Sequence, residues 1–401
     1  MTEVLVLGAG YAGLTAVLKL QKLVKDQDVH ITLINKHNYH YQTTWLHRNA
    51  VGVYKDKQSM IPIESVIDPN RVTLKKETVE MLDVENQVVT TDTGEHSYDY
   101  LIIALGSEMD TKDIPGLSEH AQSIVTLAKA NRLYNRLLTV LSDYKKTKQT
   151  QPLSIVIGGG GFTGVELLGE LTEHLSQLCI EYGVDYEKVR LLAVESEATV
   201  LPEFDLELGE YAMQKLEGEG VEFKLNTRVK AVERHQIKVE HAGLVSTIPT
   251  DMFVWTAGVK GSHLIDKSIL DSVNGRVEVN EDLTVPGYEN VFVIGDVALV
   301  NNGHGNPYLP NADIAIQKGK YCAKNVSARI KGQPVNHAFR FKPYGSQIAS
   351  LGPKDAIGVL GKGKKIVGWL ASRFKRTTDH IILLQMGGMD LWWKFHVEYH
   401  D

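Results

Sequence analysis

The stretch that most limits what this chain can become is Val4-Leu5-Val6-Leu7-Gly8-Ala9-Gly10-Tyr11-Ala12-Gly13. The apolar residues Val4 to Leu7 suit a buried parallel strand and run straight into a G-x-G-x-x-G turn. Leu14, Val17, Leu18 and Leu20 then recur at the spacing of a helix with one buried face. Each glycine meets a different need: Gly8 the tight turn, Gly10 the close approach of backbone to a pyrophosphate, and Gly13 the contact between helix and strand. The helix start turns free N–H groups and a partial positive charge toward the phosphates. A glycine turn ahead of a helix can also be merely structural, so one copy is weak evidence. This chain carries two.

The second copy begins at Leu153-Ser154-Ile155-Val156-Ile157, another strand, followed by Gly159, Gly161 and Gly164 and a helix over Val165 to Leu175. The next strand, Val189 to Val194, ends at Glu195, a carboxylate that accepts both ribose hydroxyls and repels a 2′-phosphate, which favours NADH over NADPH. The matching strand of the first unit, Val29 to Ile34, ends at Asn35-Lys36; Asn35 can bond a ribose diol without adding charge. Two dinucleotide sites on one chain make sense if one holds FAD and the other delivers NADH, because the hydride path is then short.

At 401 residues and 43% hydrophobic content the chain can bury two or three cores. A net charge of -6 speaks against a nucleic-acid partner. Cys179 and Cys322 are the only cysteines and form no C-x-x-C pair, so neither a disulfide framework nor a zinc site is expected, and no metal. With a strand starting by residue 4 and no run of 18 apolar residues, we expect a protein that begins in the cytoplasm and does not span a bilayer.

Other segments fit around these units. His37 to His47 is dense in aromatics and hydroxyls, and reads as a cofactor-lining loop that includes Thr44; a packed surface loop is the alternative. Val79, in a short strand over 77–81, would offer its backbone to an adenine. Tyr98 to Ser107 is a turn, a buried strand and a small-residue exit through Ala104 and Gly106. Residues 110–116 read as a crossing linker, and Ala128 to Tyr144 as an amphipathic helix. Phe253 to Gly258 leads to small residues suited to close approach over a nicotinamide, and Asn290 to Asp296 is a returning strand whose Asp296 either binds a flavin ribitol or caps a turn. Ala312 to Arg329 is a helix whose N-terminus would face the flavin pyrimidine. Glu166, in the first turn of the second glycine helix, either complements the helix dipole or points at the nicotinamide.

Beyond residue 335 the chain changes character. Phe339 to Leu360 suggests a small sheet; Ile366 to Arg376, Ile381 to Leu384 and Leu391 to Phe395 mix Trp and other large apolar groups with Lys and Arg. That mixture suits a segment lying on a membrane surface, with a homodimer face or a core-capping helix as the alternatives. The domains expected are 1–112 with 282–334 for FAD, 113–281 for NADH, and a C-terminal domain over 335–401.

Together, Gly8 to Gly13, Asn35-Lys36, Tyr39-His40-Tyr41-x-Thr43-Thr44-x-Leu46-His47, Gly159-x-Gly161-Phe162-Thr163-Gly164-Val165-Glu166 with Gly169-Glu170-Leu171, and Val293-Ile294-Gly295-Asp296 resemble bacterial type II NADH dehydrogenase over almost the whole chain. The resemblance implies an α/β fold of two Rossmann-like, glutathione-reductase-like domains plus a small C-terminal membrane-associating domain. It implies non-covalent FAD, oxidation of NADH and reduction of a quinone (menaquinone or ubiquinone) without proton pumping, at the cytoplasmic face of the cell membrane, as a peripheral protein. Gly8, Ala9, Gly10, Tyr11, Ala12, Asn35, Lys36, Val79, Asp296 and Ala312 would contact FAD, and Glu166 would be the active-site carboxylate. Protons for the quinol would pass through Glu166, Glu170 or water. The family's A-Q-x-A-x-Q quinone motif falls on Ala312 to Gln317, with Gln317 orienting a quinone carbonyl and Asp313 replacing the first Gln. Arg376 stands where the family usually has Lys, and Asp379 where an apolar residue is common.

The nucleotide motifs alone also suit a soluble NADH-dependent flavoprotein reductase or oxidase with another acceptor, or an NADH-sensing flavoprotein similar to apoptosis-inducing factor. The Trp and Arg tail favours the quinone. A disulfide or sulfide oxidoreductase would need a redox cysteine, and neither Cys179 nor Cys322 lies in a motif that supplies one.

Overall fold

The computed structural model describes all residues except 148–149, 303–306, 336–337, 343–345, 362 and 399–401, and the side chains of 396–398. A six-stranded sheet runs in the order Thr284–Val285, Tyr288–Val293, Tyr100–Ile103, Thr2–Leu7, Val29–Asn35, Val72–Lys76. It is parallel apart from the 284–285 edge, with Leu7 paired to both Ile34 and Ile103. Val4 to Leu7 are buried because helices cover the sheet, which is why this strand reads as continuously apolar. The first glycine helix, Tyr11–Leu23, packs against Ala312–Ile330 so closely that a Cβ on Gly319 would lie 2.4 Å from the Ala12 carbonyl oxygen.

The second unit is a four-stranded parallel sheet, Val221–Lys224, Val189–Val194, Leu153–Gly158, Met252–Trp255. Its glycine helix runs over Phe162–Tyr182, longer at both ends than the expected 165–175, and stops at Gly183 in the left-handed conformation (φ +65°). The amphipathic helix is Leu127–Thr147, its apolar stripe (Leu133, Leu137, Val140, Leu141, Tyr144) buried. The chain crosses between the units at a two-stranded link, where Glu108–Met109 pairs antiparallel with Val259–Lys260.

The C-terminal region begins with a three-stranded antiparallel sheet, Ser346–Ser350, Ala356–Leu360, Lys364–Val367, and ends in helices Gly368–Gly387 and Met389–Glu398. The sheet starts later than expected: Phe339 instead buries its ring against Tyr308 and Tyr321 of the first unit. The tail is also not simply an outer attachment, since Leu383, Met386, Leu391 and Phe395 join the core of the first unit. Its other face leaves Trp369, Leu370, Phe374, Ile381, Met389 and Trp393 exposed. Among the described residues no helix is long and apolar enough to cross a membrane.

Candidate active site

The two glycine turns have the same local geometry. Gly8 (φ +94°) and Gly159 (φ +114°) take backbone conformations that a side chain would strain, and a Cβ on Gly13 or Gly164 would lie 2.0 Å from the carbonyl oxygen of Gly8 or Gly159. A Cβ at Gly10 meets nothing within 4 Å and one at Gly161 only Glu203 Oε1 at 4.0 Å, so both helix N-termini open onto free space where a pyrophosphate fits. The strand-tip residues also correspond. The Ala9 N–H donates to Asn35 Oδ1 at 3.0 Å, and the Gly160 N–H donates to Glu195 Oε2. The Asn35 amide is fixed by its bond to the His37 carbonyl (2.8 Å), and Glu195 Oε1 accepts from the Glu197 N–H (2.9 Å) and the Ser196 hydroxyl (3.0 Å).

The aromatic loop folds down on the first turn. His40 Nδ1 donates to the Ala9 carbonyl at 2.8 Å, which fixes the tautomer, and burial pulls its pKa down to about 4. The Tyr11 hydroxyl bonds Gln42 (2.9 Å) and Thr44 (3.1 Å), and burial lifts its pKa to about 12. Ala104 backs Gly8, whose added Cβ would lie 2.4 Å from the Ala104 oxygen; Gly106 faces open space. The strand containing Val79 runs over Val79–Asp83, two residues later than expected, with the Val79 side chain buried, while Lys36 is exposed. Asp296 accepts from the Ser107 hydroxyl at 3.1 Å. No motif points to Lys318, a buried lysine that pins this turn by donating to the carbonyls of Gly295 (3.0 Å) and Ala298 (2.9 Å); burial lowers its pKa to about 8.

Against the second turn lies a cavity of ≈ 520 Å³, bordered by Gly159, Glu195, Glu197, Thr227, Lys112 and Trp255, a size that suits a nucleotide. Trp255 Nε1 donates across to the Asp110 carbonyl at 2.8 Å, and Gly258 (φ +124°) follows.

Between the three units lies a buried cluster of charge. Glu166 Oε1 is 2.9 Å from Lys375 Nζ and accepts the Ser350 N–H at 3.1 Å; Glu166 Oε2 is 3.5 Å from His47. His47 reaches Glu170 at 3.9 Å, and Arg48 joins Glu170 (3.6 Å) to Asp379 (3.8 Å). Burial alone would raise Glu166, but the Lys375 ammonium and the Ser350 N–H outweigh it and hold the carboxyl below its usual range. Burial raises Glu170 and Asp379, and pulls His47 down to about 3, so that it stays neutral. Glu170 lies one helical turn after Glu166, so both project from one face. Gly169 lets that helix press on the C-terminal sheet: a Cβ there would lie 2.4 Å from the Leu351 carbonyl carbon.

Two expected positions come out differently. Arg376 is exposed and donates to the Pro353 carbonyl at 3.4 Å, while its neighbour Lys375 takes the inward place. The reason is helical spacing: Ser372, Lys375, Asp379, Leu383 and Met386 form one stripe, and 376 falls off it. Gln317 does not present a free amide. Its Nε2 donates to the Lys342 carbonyl (2.7 Å) and Asp313 Oδ1 (2.9 Å), and its Oε1 accepts the Lys342 N–H (3.1 Å). Ala312 opens this helix, capped by Asn311, whose side chain accepts the Ile314 N–H at 2.9 Å. Among the described residues no cluster could hold a metal ion.

Residues 2–319 match the family model described as pyridine nucleotide-disulphide oxidoreductase. The chain is 38% identical to the type II NADH:quinone oxidoreductases of Staphylococcus saprophyticus and Staphylococcus aureus over 98% of both lengths. Its backbone is similar to that of NDH2 from Plasmodium falciparum solved with NADH (TM-score 0.86, 17% identity, 100% and 98% of the two chains covered). It is also similar to the sulfide:quinone oxidoreductase of Aquifex aeolicus (TM-score 0.77, 21% identity, 96% and 92% covered).

Proposed function

The chain belongs to the type II NADH:quinone oxidoreductases, and from that premise we propose that it oxidises NADH and reduces a quinone by two electrons without moving protons across a membrane. The observation that carries this reading is the pair of matching glycine turns beside a buried carboxylate cluster that the C-terminal helix completes. The first glycine turn would hold FAD, whose chemistry when bound would be two-electron redox between NADH and the quinone.

The chain's own residues have these parts. The N–H groups around Gly10 and Tyr11 bind the FAD pyrophosphate, Asn35 its ribose, and Asp296 its ribitol. Gly161 and Gly164 admit the NADH pyrophosphate, and Glu195 accepts the adenosine ribose hydroxyls. Gly258 lets the nicotinamide approach. The start of the Ala312–Ile330 helix favours negative charge on the reduced ring. Glu166, kept ionised by Lys375, accepts a proton at Oε2, the oxygen facing His47, and returns it toward the quinone. Exposed Trp369, Leu370 and Phe374, with Arg373 stacked 5.6 Å above Trp369, would rest on the membrane at the cytoplasmic face and open the site to a lipid-borne substrate.

The test is spectroscopic. The purified protein should show flavin absorbance, lose it on mixing with NADH, and regain it rapidly with a menaquinone analogue under anaerobic conditions. Colourless protein, or flavin that NADH does not bleach or quinone does not restore, would refute the reading.

A further inference from the structure

The cluster contains more acid than fixed base. His47, Arg48, Glu166, Glu170, Lys375 and Asp379 have side chains between 3% and 13% exposed. Lys375 and Arg48 are cations, His47 is neutral, and three carboxylates face them, so full ionisation would bury one unpaired negative charge. Such a charge is costly away from water, and one proton held by the cluster would relieve it. Lys375 pairs with Glu166, so such a proton would fall to the two carboxylates that share Arg48. Arg48 is itself held by donating to the Tyr54 hydroxyl at 2.9 Å.

We propose that Arg48, Glu170 and Asp379 form a proton-loading triad, in which one proton shared by the two carboxylates supplies the quinone half-reaction and is replaced from solvent through His174. His174 Nδ1 donates to the Glu170 backbone carbonyl at 3.0 Å and lies 3.6 Å from Glu170 Oε2, and its side chain is 30% exposed, which sets a half-buried imidazole between the carboxylate and solvent. Inward, His47 lies between Glu170 and Glu166. This inference rests on the quinone reading. The net reaction NADH + H⁺ + quinone → NAD⁺ + quinol takes up one proton, and the triad holds one.

Asp379 is the triad's member on the C-terminal helix. Here it occupies the inward stripe of the C-terminal helix, 4% exposed and opposite Arg48. The charged and titratable groups around it are Arg48 from the 46–50 helix, Lys375 one turn earlier, Glu166 from the glycine helix, and Tyr11. Around Glu170 they are Arg48, His47, His174 and Glu166. Burial and the nearby Glu166 carboxylate raise both members of the pair, which is what a shared proton requires.

The experiment follows the pH dependence of flavin reoxidation by a quinone analogue in stopped flow. Asp379→Asn removes one carboxylate and leaves Glu170 alone with Arg48, so the alkaline limb should move down by about one pH unit or more, and Glu170→Gln should do the same. Combining the two should lower the quinone rate further but not restore the limb, because they serve one proton. Asp379→Glu should keep the wild-type limb. Infrared difference spectra of the unmodified protein give a second readout that needs no variant: a carboxylic acid band should persist above the ordinary carboxyl range and disappear as the pH is raised further. Unmoved limbs in both variants, or no such band, overturn the triad while leaving quinone reduction intact. Wild-type flavin that quinone fails to reoxidise overturns both.

Discussion

Lys375 and Glu166 meet at 2.9 Å across the contact between the C-terminal helix and the second glycine helix. Removing the ammonium leaves Glu166 with burial as its main influence, which raises a carboxyl. Lys375→Met should therefore move the acid limb of quinone reduction to higher pH by about a unit or more. The sign for stability agrees. A carboxylate held low in the folded state stabilises above its ordinary range and loses that stabilisation as pH falls toward its folded value. The variant should be less stable at neutral pH by ~3–5 kcal/mol, as for any buried pair with one partner removed, measured by denaturant unfolding.

Glu195 spends both oxygens on the glycine turn and on its own strand end, and borders the nucleotide cavity. Glu195→Ala should cost ~1–3 kcal/mol of NADH binding, or roughly 5- to 150-fold in KM, with flavin content unchanged. A KM equal to the wild type would remove Glu195 from the ribose site.

The third glycine of each turn separates the two cofactors. Gly13→Ala should yield protein that purifies with little flavin, whereas Gly164→Ala should keep its yellow colour and lose NADH-dependent bleaching, because each added Cβ collides with the carbonyl of its own turn. Absorbance spectra before and after NADH addition check both.

Deleting the C-terminal helices is a poor test of membrane contact, since Leu383 and Phe395 are core and Lys375 and Asp379 belong to the site. Trp369→Glu with Phe374→Glu alters only the exposed face. The double variant should shift from vesicle pellet to supernatant and keep its NADH oxidation with a water-soluble acceptor; co-sedimentation unchanged from the wild type would count against that face.

His40 and His47 are held neutral by burial, at about 4 and about 3. Below their ordinary value near pH 6.5 the unfolded chain binds protons that the folded chain refuses. Stability is therefore full above about pH 6.5 and falls on acidification, by up to ~1.4 kcal/mol per unit for each histidine. Thermal midpoints at pH 7 and pH 5 should differ for the wild type and differ less for His40→Gln.

Much of this was legible from residue order. Strand, glycine turn and helix are local, so Gly8 to Gly13 and Gly159 to Gly164 announce their geometry within about ten residues, and strand tips such as Asn35 and Glu195 follow by counting. The C-terminal helix was harder. Its composition signals an apolar-basic surface, but whether 375 or 376 faces inward depends on where the helix starts, at Gly368, which fixes the phase of every later residue.

What sequence by itself determined is therefore the pair of nucleotide units and their cofactor preference, because backbone strain and ribose chemistry act over a few residues. What only the tertiary structure decided is the cluster of His47, Arg48, Glu166, Glu170, Lys375 and Asp379, and the engagement of Gln317 by Lys342. These groups come from segments far apart in the chain. Their protonation is set by mutual distance and by the exclusion of water, neither of which exists until the three units pack together.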